Sequence, residues 1–341
     1  MKKFLKYITV FVFIGIVITV SILAFANNFI YSLSNSSSIY AENNNLKNTD
    51  KEKTIKIEDD AMFQQYSFNN KYYSYLKDGK IIIKNIEKGE IYDTIEEDEK
   101  ICFYNLLYDK NLILYFTENK IGNSSKLVLK TYDISSKNKA EFNKFTINNF
   151  SKIKQIEFSP IINIIYLNIE TKSGLKENNI VYRIDLFNSK STVVSGKIIS
   201  NLTMLKHKDR LYYEDDNNKI YYAGSRLNIF GEDVHLIGTD LDDNIYFISA
   251  KNKNKIYKVQ NNKIIEKIEL TDTDVINWYS DNTNVYLIYP TYILNISSKS
   301  PYKRLAKLSE FVAFETIKEN TLYLRTKDNL IVSTKLLNVE N

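Results

Sequence analysis

With one cysteine, Cys102, in 341 residues, the chain can form no intrachain disulfide and no zinc site built on cysteine. Ile101 and Phe103 flank it, so the thiol reads as a small buried hydrophobe of a strand. Three prolines and nine glycines leave most turns to Asn, Asp, Ser and Lys. Only two imidazoles are present, His207 and His235, and one indole, Trp278. No Gly-x-Ser-x-Gly elbow, no full calcium loop and no phosphate-binding glycine motif occurs. A long block of basic residues is also missing. Once Lys2, Lys3 and Lys6 are set aside, 43 Lys and Arg stand against 41 Asp and Glu, and the interspersed charges describe a solvated surface without a nucleic-acid footprint.

What the chain has in quantity is Tyr 26 and Phe 18, and their placement repeats. A short phrase of tyrosine among apolar or aromatic neighbours recurs at Tyr72-Tyr73, Leu114-Tyr115-Phe116, Ile165-Tyr166-Leu167, Leu211-Tyr212-Tyr213, Ile245-Tyr246-Phe247, Val285-Tyr286-Leu287 and Leu322-Tyr323-Leu324. From Tyr73 onward the tyrosines are 42, 51, 46, 34, 40 and 37 residues apart. A period of about 40 with variable loops is the mark of a propeller, one blade to a repeat.

Each repeat divides into short strands. First strands are expected at 62–68, 101–107, 156–158, 202–205, 234–237, 276–279 and 311–314. Third strands fall at 81–86, 127–134, 180–186, 220–222, 256–259, 292–296 and 330–333, and fourth strands at 91–95, 141–146, 192–198, 227–230, 264–270 and 302–308. The seventh repeat ends without a fourth strand, whereas residues 54–58 form a spare strand ahead of the first. Lending it to the last blade closes the ring and removes an exposed edge. The expected fold is therefore all-β, a single propeller of seven four-stranded blades, with six as the alternative if the long third or short fourth repeat divides differently.

Residues 7–26 carry no charge and come after a cytoplasmic head with Lys2, Lys3 and Lys6. As a helix they reach roughly 30 Å, enough to span a bilayer, and the lysines place the rest of the chain outside the cytoplasm. Ala24-Phe25-Ala26 has the small-x-small form of a cleavage site, and Ile39-Tyr40-Ala41 is a weaker one. The run is longer than usual for a cleaved signal, which favours an uncleaved anchor; cleavage after Ala26 gives a secreted protein. Residues 27–53 read as a flexible linker and 54–341 as the propeller. The absence of a cysteine after the run excludes a lipid-modified terminus.

Candidate sites are sparse. Asp240-Leu241-Asp242-Asp243, Asp215-Asp216 and Asp272-Thr273-Asp274 could offer oxygens to calcium, but Asp at such positions also builds turns. His207 and His235, on the first strands of neighbouring repeats and near Asp209 and Asp233, could pair. Trp278 suits the blade or channel better than a ligand contact, and the recurrent tyrosines suit packing at one register in every repeat. No catalytic residue, metal ligand or cofactor is assigned.

The strand pairs, such as Asp243-Asn244-Ile245-Tyr246-Phe247 and then Lys255-Ile256-Tyr257-Lys258-Val259, resemble the repeats of exported bacterial propellers of the TolB-type and YWTD-type superfamily, across residues 54–338. The Trp-Asp marks of WD40 blades, the Tyr-Trp-Thr-Asp tetrad and the Ser-x-Asp-x-Gly boxes of sialidases are missing, so the resemblance implies fold and export without carrying over any functional residue. A membrane-tethered extracytoplasmic scaffold that binds a protein or envelope glycan is expected. The alternative is an envelope hydrolase or lyase with its site at the channel mouth.

Overall fold

The structure is a computed structural model. It describes residues 53–338 apart from 57, 59, 186, 188, 272–273, 282, 291, 298–299, 304–310, 319–320, 327–329 and 336. The apolar run at 7–26 and nearly all of the linker lie outside the described residues, among which no helix is long and apolar enough to cross a membrane.

Seven antiparallel sheets succeed one another along the chain. Their first strands are Met62–Tyr66, Lys100–Leu106, Phe150–Ser159, Ile199–Met204, Val234–Thr239, Asn277–Ser280 and Phe311–Lys318. The first five sheets take all four strands from consecutive sequence. In the sixth, Leu337–Asn338 adds a fifth strand at the outer edge. The seventh gains its fourth strand from Lys53–Lys56, which pairs with Leu330–Lys335 from Lys53↔Ser333 to Lys56↔Leu330.

A twisted four-stranded sheet has two apolar faces and needs a neighbour on each. Seven apolar clusters meet that need, one between every two successive sheets. Phe116 and Leu127 of blade 2 pack on Leu167 of blade 3, and the series runs through blades 3–4, 4–5, 5–6 and 6–7. It returns to its start where Tyr323 and Ile331 of blade 7 meet Tyr66, Tyr73 and Tyr75 of blade 1. The ring is a seven-bladed β-propeller.

First strands of adjacent blades lie side by side around the axis and run in the same direction. Asn201 Nδ2 donates to Leu236 O at 2.9 Å and Thr239 Oγ1 to Met204 O at 3.2 Å, both across 35 residues of sequence. Gln65 and Gln155 make the same reach to Tyr104 O and Leu202 O in the next blade. The channel therefore has an entry end, where every first strand begins, and an exit end, where it finishes.

Three expectations need correction. The fourth strand of blade 4 is Ser225–Arg226, only two residues, and not 227–230. Leu227, Ile229 and Phe230 instead pack into the apolar cluster between blades 4 and 5, with the Phe230 ring 4.7 Å from that of Phe247. A flat strand would send alternate residues to opposite faces and could not deliver both Ile229 and Phe230 there.

Nor do the phrase tyrosines keep one register. Tyr166, Tyr212, Tyr246, Tyr286 and Tyr323 pack toward the following blade, but Tyr73 and Tyr115 pack toward the preceding one. A one-residue slip reverses the face of a strand, and with both faces buried either serves. The third correction is the first strand of blade 3, which runs over Phe150–Ser159, well beyond 156–158.

That length belongs to the most irregular feature of the ring. Blade 2 has strands Leu112–Ile121, Ser124–Asp133 and Lys139–Asn148, and blade 3 has Phe150–Ser159, Ile164–Ser173 and Lys176–Ile184. At the entry end they overrun their neighbours by three to four residues, roughly 10–13 Å. The backbone of Asn149 joins them, its N–H donating to Asn123 O at 2.7 Å and its carbonyl accepting from Lys172 N at 2.8 Å. Two hairpins and the chain between them form one braced wall.

Candidate functional site

The exit end is filled by a polar cluster drawn from four blades. Glu157 lies near the end of the first strand of blade 3, and Lys206 comes just after that of blade 4; both side chains are buried. Gln155 Nε2 donates to Glu157 Oε1 at 3.0 Å, while Glu157 Oε2 has no close hydrogen-bond partner among the described residues. The Lys206 amine lies over the Tyr108 ring of blade 2, 5.5 Å from its centroid. Its backbone is gripped from both sides. Ser159 Oγ donates to Lys206 O at 2.5 Å, and Lys206 N donates to Asp243 Oδ1 of blade 5 at 2.6 Å. Burial pushes the Glu157 carboxyl up and the Lys206 amine down, each opposed by the other's charge. This cluster ties blades 2 to 5 together, with the Glu157, Lys206 and Asp243 side chains buried.

At the entry end a smaller group is open to solvent. His235 is the second residue of the blade 5 first strand. Its Nδ1 lies 2.8 Å from Oε1 of Glu214, and Oε2 of the same carboxylate accepts Leu236 N at 2.8 Å. Glu214 sits in the buried second strand of blade 4, Leu211–Asp215. Trp278, from the first strand of blade 6, stacks on the imidazole with centroids 6.1 Å apart. A carboxylate that holds Nδ1 presents Nε2 outward, and the imidazole is 32% exposed. Such a pair can accept or donate a proton at Nε2 or bind a polar group there.

The structure separates the two histidines. His207 lies in the turn after the blade 4 first strand, with Nδ1 3.6 Å from Asp243 Oδ1, so it belongs to the exit end. His235 lies at the start of its strand and His207 beyond the end of the parallel neighbouring one, so the two stand at opposite ends of the ring. The acids nearby in sequence serve elsewhere. Asp209 accepts from Tyr166 and Arg183, and Asp233 from Lys219 at 2.6 Å.

The aspartate groups build turns. Asp240 Oδ1 accepts Asp242 N and Asn244 N, and its Oδ2 accepts the Tyr246 hydroxyl at 2.9 Å. Asp215 Oδ1 holds Asn217 N and Lys219 N. Asp272 and Thr273 are outside the described residues. No three His, Cys, Asp or Glu side chains among the described residues gather closely enough for a metal. Cys102 packs at the blade 2–3 interface, and burial pushes its thiol up to about 12.

Sequence reasoning missed Glu214, Glu157 and Lys206. Glu214 had a signal, since it directly follows the apolar phrase Leu211-Tyr212-Tyr213 in an expected strand. An acid there requires a partner. Lys206 had none, because nothing local distinguishes it from the exposed Lys208.

Four exposed apolar side chains stand at the entry mouth among charged neighbours such as Asp60, Glu99 and Lys100. Met62 and Phe63 of blade 1, Ile198 before blade 4 and Ile276 before blade 6 are all exposed. Phe63 holds φ at 53°, unusual for a bulky residue. Between the blade 3 hairpin and the Asp215–Asn217 turn of blade 4 lies an open cleft of about 510 Å³, bounded by Leu175, Lys197 and Asp216.

No family model matches the chain, and no curated protein does. Its fold is shared with solved structures. Oligogalacturonate lyase in complex with manganese is 10% identical over 83% of this chain and 90% of that one, with a TM-score of 0.56. A chain from the mitotic checkpoint complex is 11% identical over 87% of this chain and 97% of its own, with a TM-score of 0.50. At such identities the likeness is one of fold.

Proposed function

We propose that the protein is a membrane-tethered, extracytoplasmic propeller that binds a protein or a cell-envelope glycan across its entry end. The observation that carries this reading is the wall of blades 2 and 3. Ring closure does not need it, since blade 6 closes with strands of four residues. A rigid projection beside exposed apolar side chains of the mouth and an open cleft offers what a partner requires, shape with apolar anchors. The apolar run at 7–26, the lysines before it and the likeness to exported TolB-type and YWTD-type repeats support the address.

Crosslinking the full-length protein in envelopes tests the binding. A photo-crosslinker at Ile198 or Ile276 should capture one discrete partner or glycan, and one at the outer-edge Ile265 should not. Equal background capture at all three positions would defeat the reading.

A second reading, an envelope hydrolase or lyase, is favoured by the Glu214–His235 pair with its outward Nε2. The lyase of like fold acts as a precedent for such chemistry on this scaffold. Incubation with envelope polysaccharides should then yield new chain ends, and His235→Gln and Glu214→Gln should both abolish them. Products that persist in His235→Gln would remove this pair from the chemistry.

A further inference from the structure

We propose that the two raised hairpins of blades 2 and 3 dock the domain on an anionic lipid surface, their aliphatic tips in the headgroup layer and their lysines on the lipid phosphates. Both tips are two-residue turns of one design. Gly122-Asn123 joins Ile121 to Ser124, and Gly174-Leu175 joins Ser173 to Lys176. The glycines hold φ at 59° and 61°, the conformation a type II′ turn demands at its first central position. That geometry leaves the second central residue and the strand ends at the summit.

What occupies the summit is unlike an ordinary turn. Leu175 is fully exposed and Ile121 is 64% exposed, although solvated turns favour Asn, Asp and Ser. Around these two side chains the chain places Lys120, Lys126, Lys152, Lys172 and Lys176 against Glu118, Glu170 and Glu177.

Each of these glutamates is already engaged. Glu118 accepts Ser125 Oγ at 2.6 Å, Glu170 accepts Ser151 Oγ at 2.9 Å and faces Lys152 at 3.5 Å, and Glu177 pairs with Lys172 at 2.8 Å. Lys120, Lys126 and Lys176 have no carboxylate within ion-pair distance among the described residues. Unpaired lysines ringing an exposed aliphatic residue, on two tips fixed together through Asn149, match the apolar-and-basic pattern of interfacial membrane binding.

A soluble polyanion would meet the lysines and leave Leu175 and Ile121 in water; a bilayer surface satisfies both. Membrane tethering, as read from residues 7–26, would keep such a surface at high effective concentration. The docking does not rest on the partner reading. Where both hold, the mouth stands roughly 10–13 Å from the bilayer, and the ligand belongs to that gap.

The test uses the full-length protein in nanodiscs of phosphatidylcholine alone or mixed with phosphatidylglycerol. Leu175→Trp in a Trp278→Phe background keeps an apolar tip and makes it the sole indole. Its emission should shift to the blue and be quenched by acyl-brominated lipid in the anionic discs. Molar salt should reverse this. Lys120→Glu with Lys176→Glu should weaken the quenching about tenfold in lipid titration, on the order of a fewfold per lysine. Thermal unfolding matching the parent shows that the variants are folded. Emission of a water-exposed indole in both kinds of disc would overturn the proposal, and so would equal quenching in neutral and anionic discs.

Discussion

The tyrosines gain their second role from their hydroxyls. Rings between blades bury apolar area, and each hydroxyl then needs a partner. Acids in the connectors supply it to Tyr75, Tyr115 and Tyr257, whereas the buried hydroxyls of Tyr66 and Tyr73 have none among the described residues. Glu58, just before blade 1, accepts Tyr75 at 2.7 Å, Lys77 at 3.1 Å and Lys84 at 3.0 Å. Before blade 2, Glu97 accepts Tyr115 at 2.8 Å, Lys130 at 2.6 Å and Lys139 at 2.8 Å. Before blade 5, Glu232 accepts Tyr257, Lys255 and Ser249. The Tyr75, Lys84 and Lys77 bonds hold Glu58 at about 2. At Glu97 burial pushes upward, but Lys130, Lys139 and Tyr115 outweigh it and the result is again about 2. Lys255, Tyr257 and Ser249 bring Glu232 to about 2.

A carboxylate held below its unfolded value stabilises the fold above that value, and the contribution disappears as pH falls through the folded one. Stability measured by urea unfolding should thus decline from about pH 4.5 toward pH 2. Glu97→Gln should cost about 2 kcal/mol at neutral pH and flatten that acid limb. An unchanged limb in the variant would show that Glu97 does not contribute.

Among the elements, the borrowed strand carries the closure. Ile55 is partly buried against Tyr73, Tyr323 and Ile331 at the seam between blades 7 and 1, and it pairs with Ile331. Ile55→Pro removes a backbone donor and clashes in a strand. Losing that donor and the side chain packed at the seam should cost about 2 kcal/mol, read as a lower urea midpoint, whereas Ile265→Pro, at an exposed side chain of the blade 5 edge, should cost less. Equal losses would mean that the seam is no weaker than any edge.

The seam was legible because a strand-like phrase stood ahead of the first repeat while the seventh lacked one. The wall was legible only as the long step from Tyr115 to Tyr166, which tells that residues are added but not that both hairpins lengthen together toward one end. Blade 4 misled because 227–230 has strand composition. Its apolar side chains found a better place against Phe247 and Tyr257, and burial in a neighbouring interface decided over local propensity.

Over the whole molecule, what the repeat could not disclose is how the ring is pinned across its axis. Repeats specify neighbours, but Lys206 touches blade 2 through Tyr108, blade 3 through Ser159 and blade 5 through Asp243, and it feels the charge of Glu157. Such a contact joins positions some 40 to 100 residues apart in sequence, and periodicity carries no trace of it. Its energetics come from burial. A lysine withdrawn from water loses hydration that the charges of nearby carboxylates restore only in part. Removing the side chain with Lys206→Ala empties that space and leaves Glu157 without its countercharge, which should cost about 3 kcal/mol. Lys206→Met fills it with an apolar chain of like length and should cost less than about 1.5 kcal/mol, more so if Glu157 takes up a proton as its raised carboxyl allows. The difference between the two variants, measured by urea unfolding at neutral pH, separates packing from charge. Should Met prove as damaging as Ala, the charge itself holds the blades together, and the Lys206→Met deficit should then shrink at acid pH, where a protonated Glu157 no longer wants a countercharge.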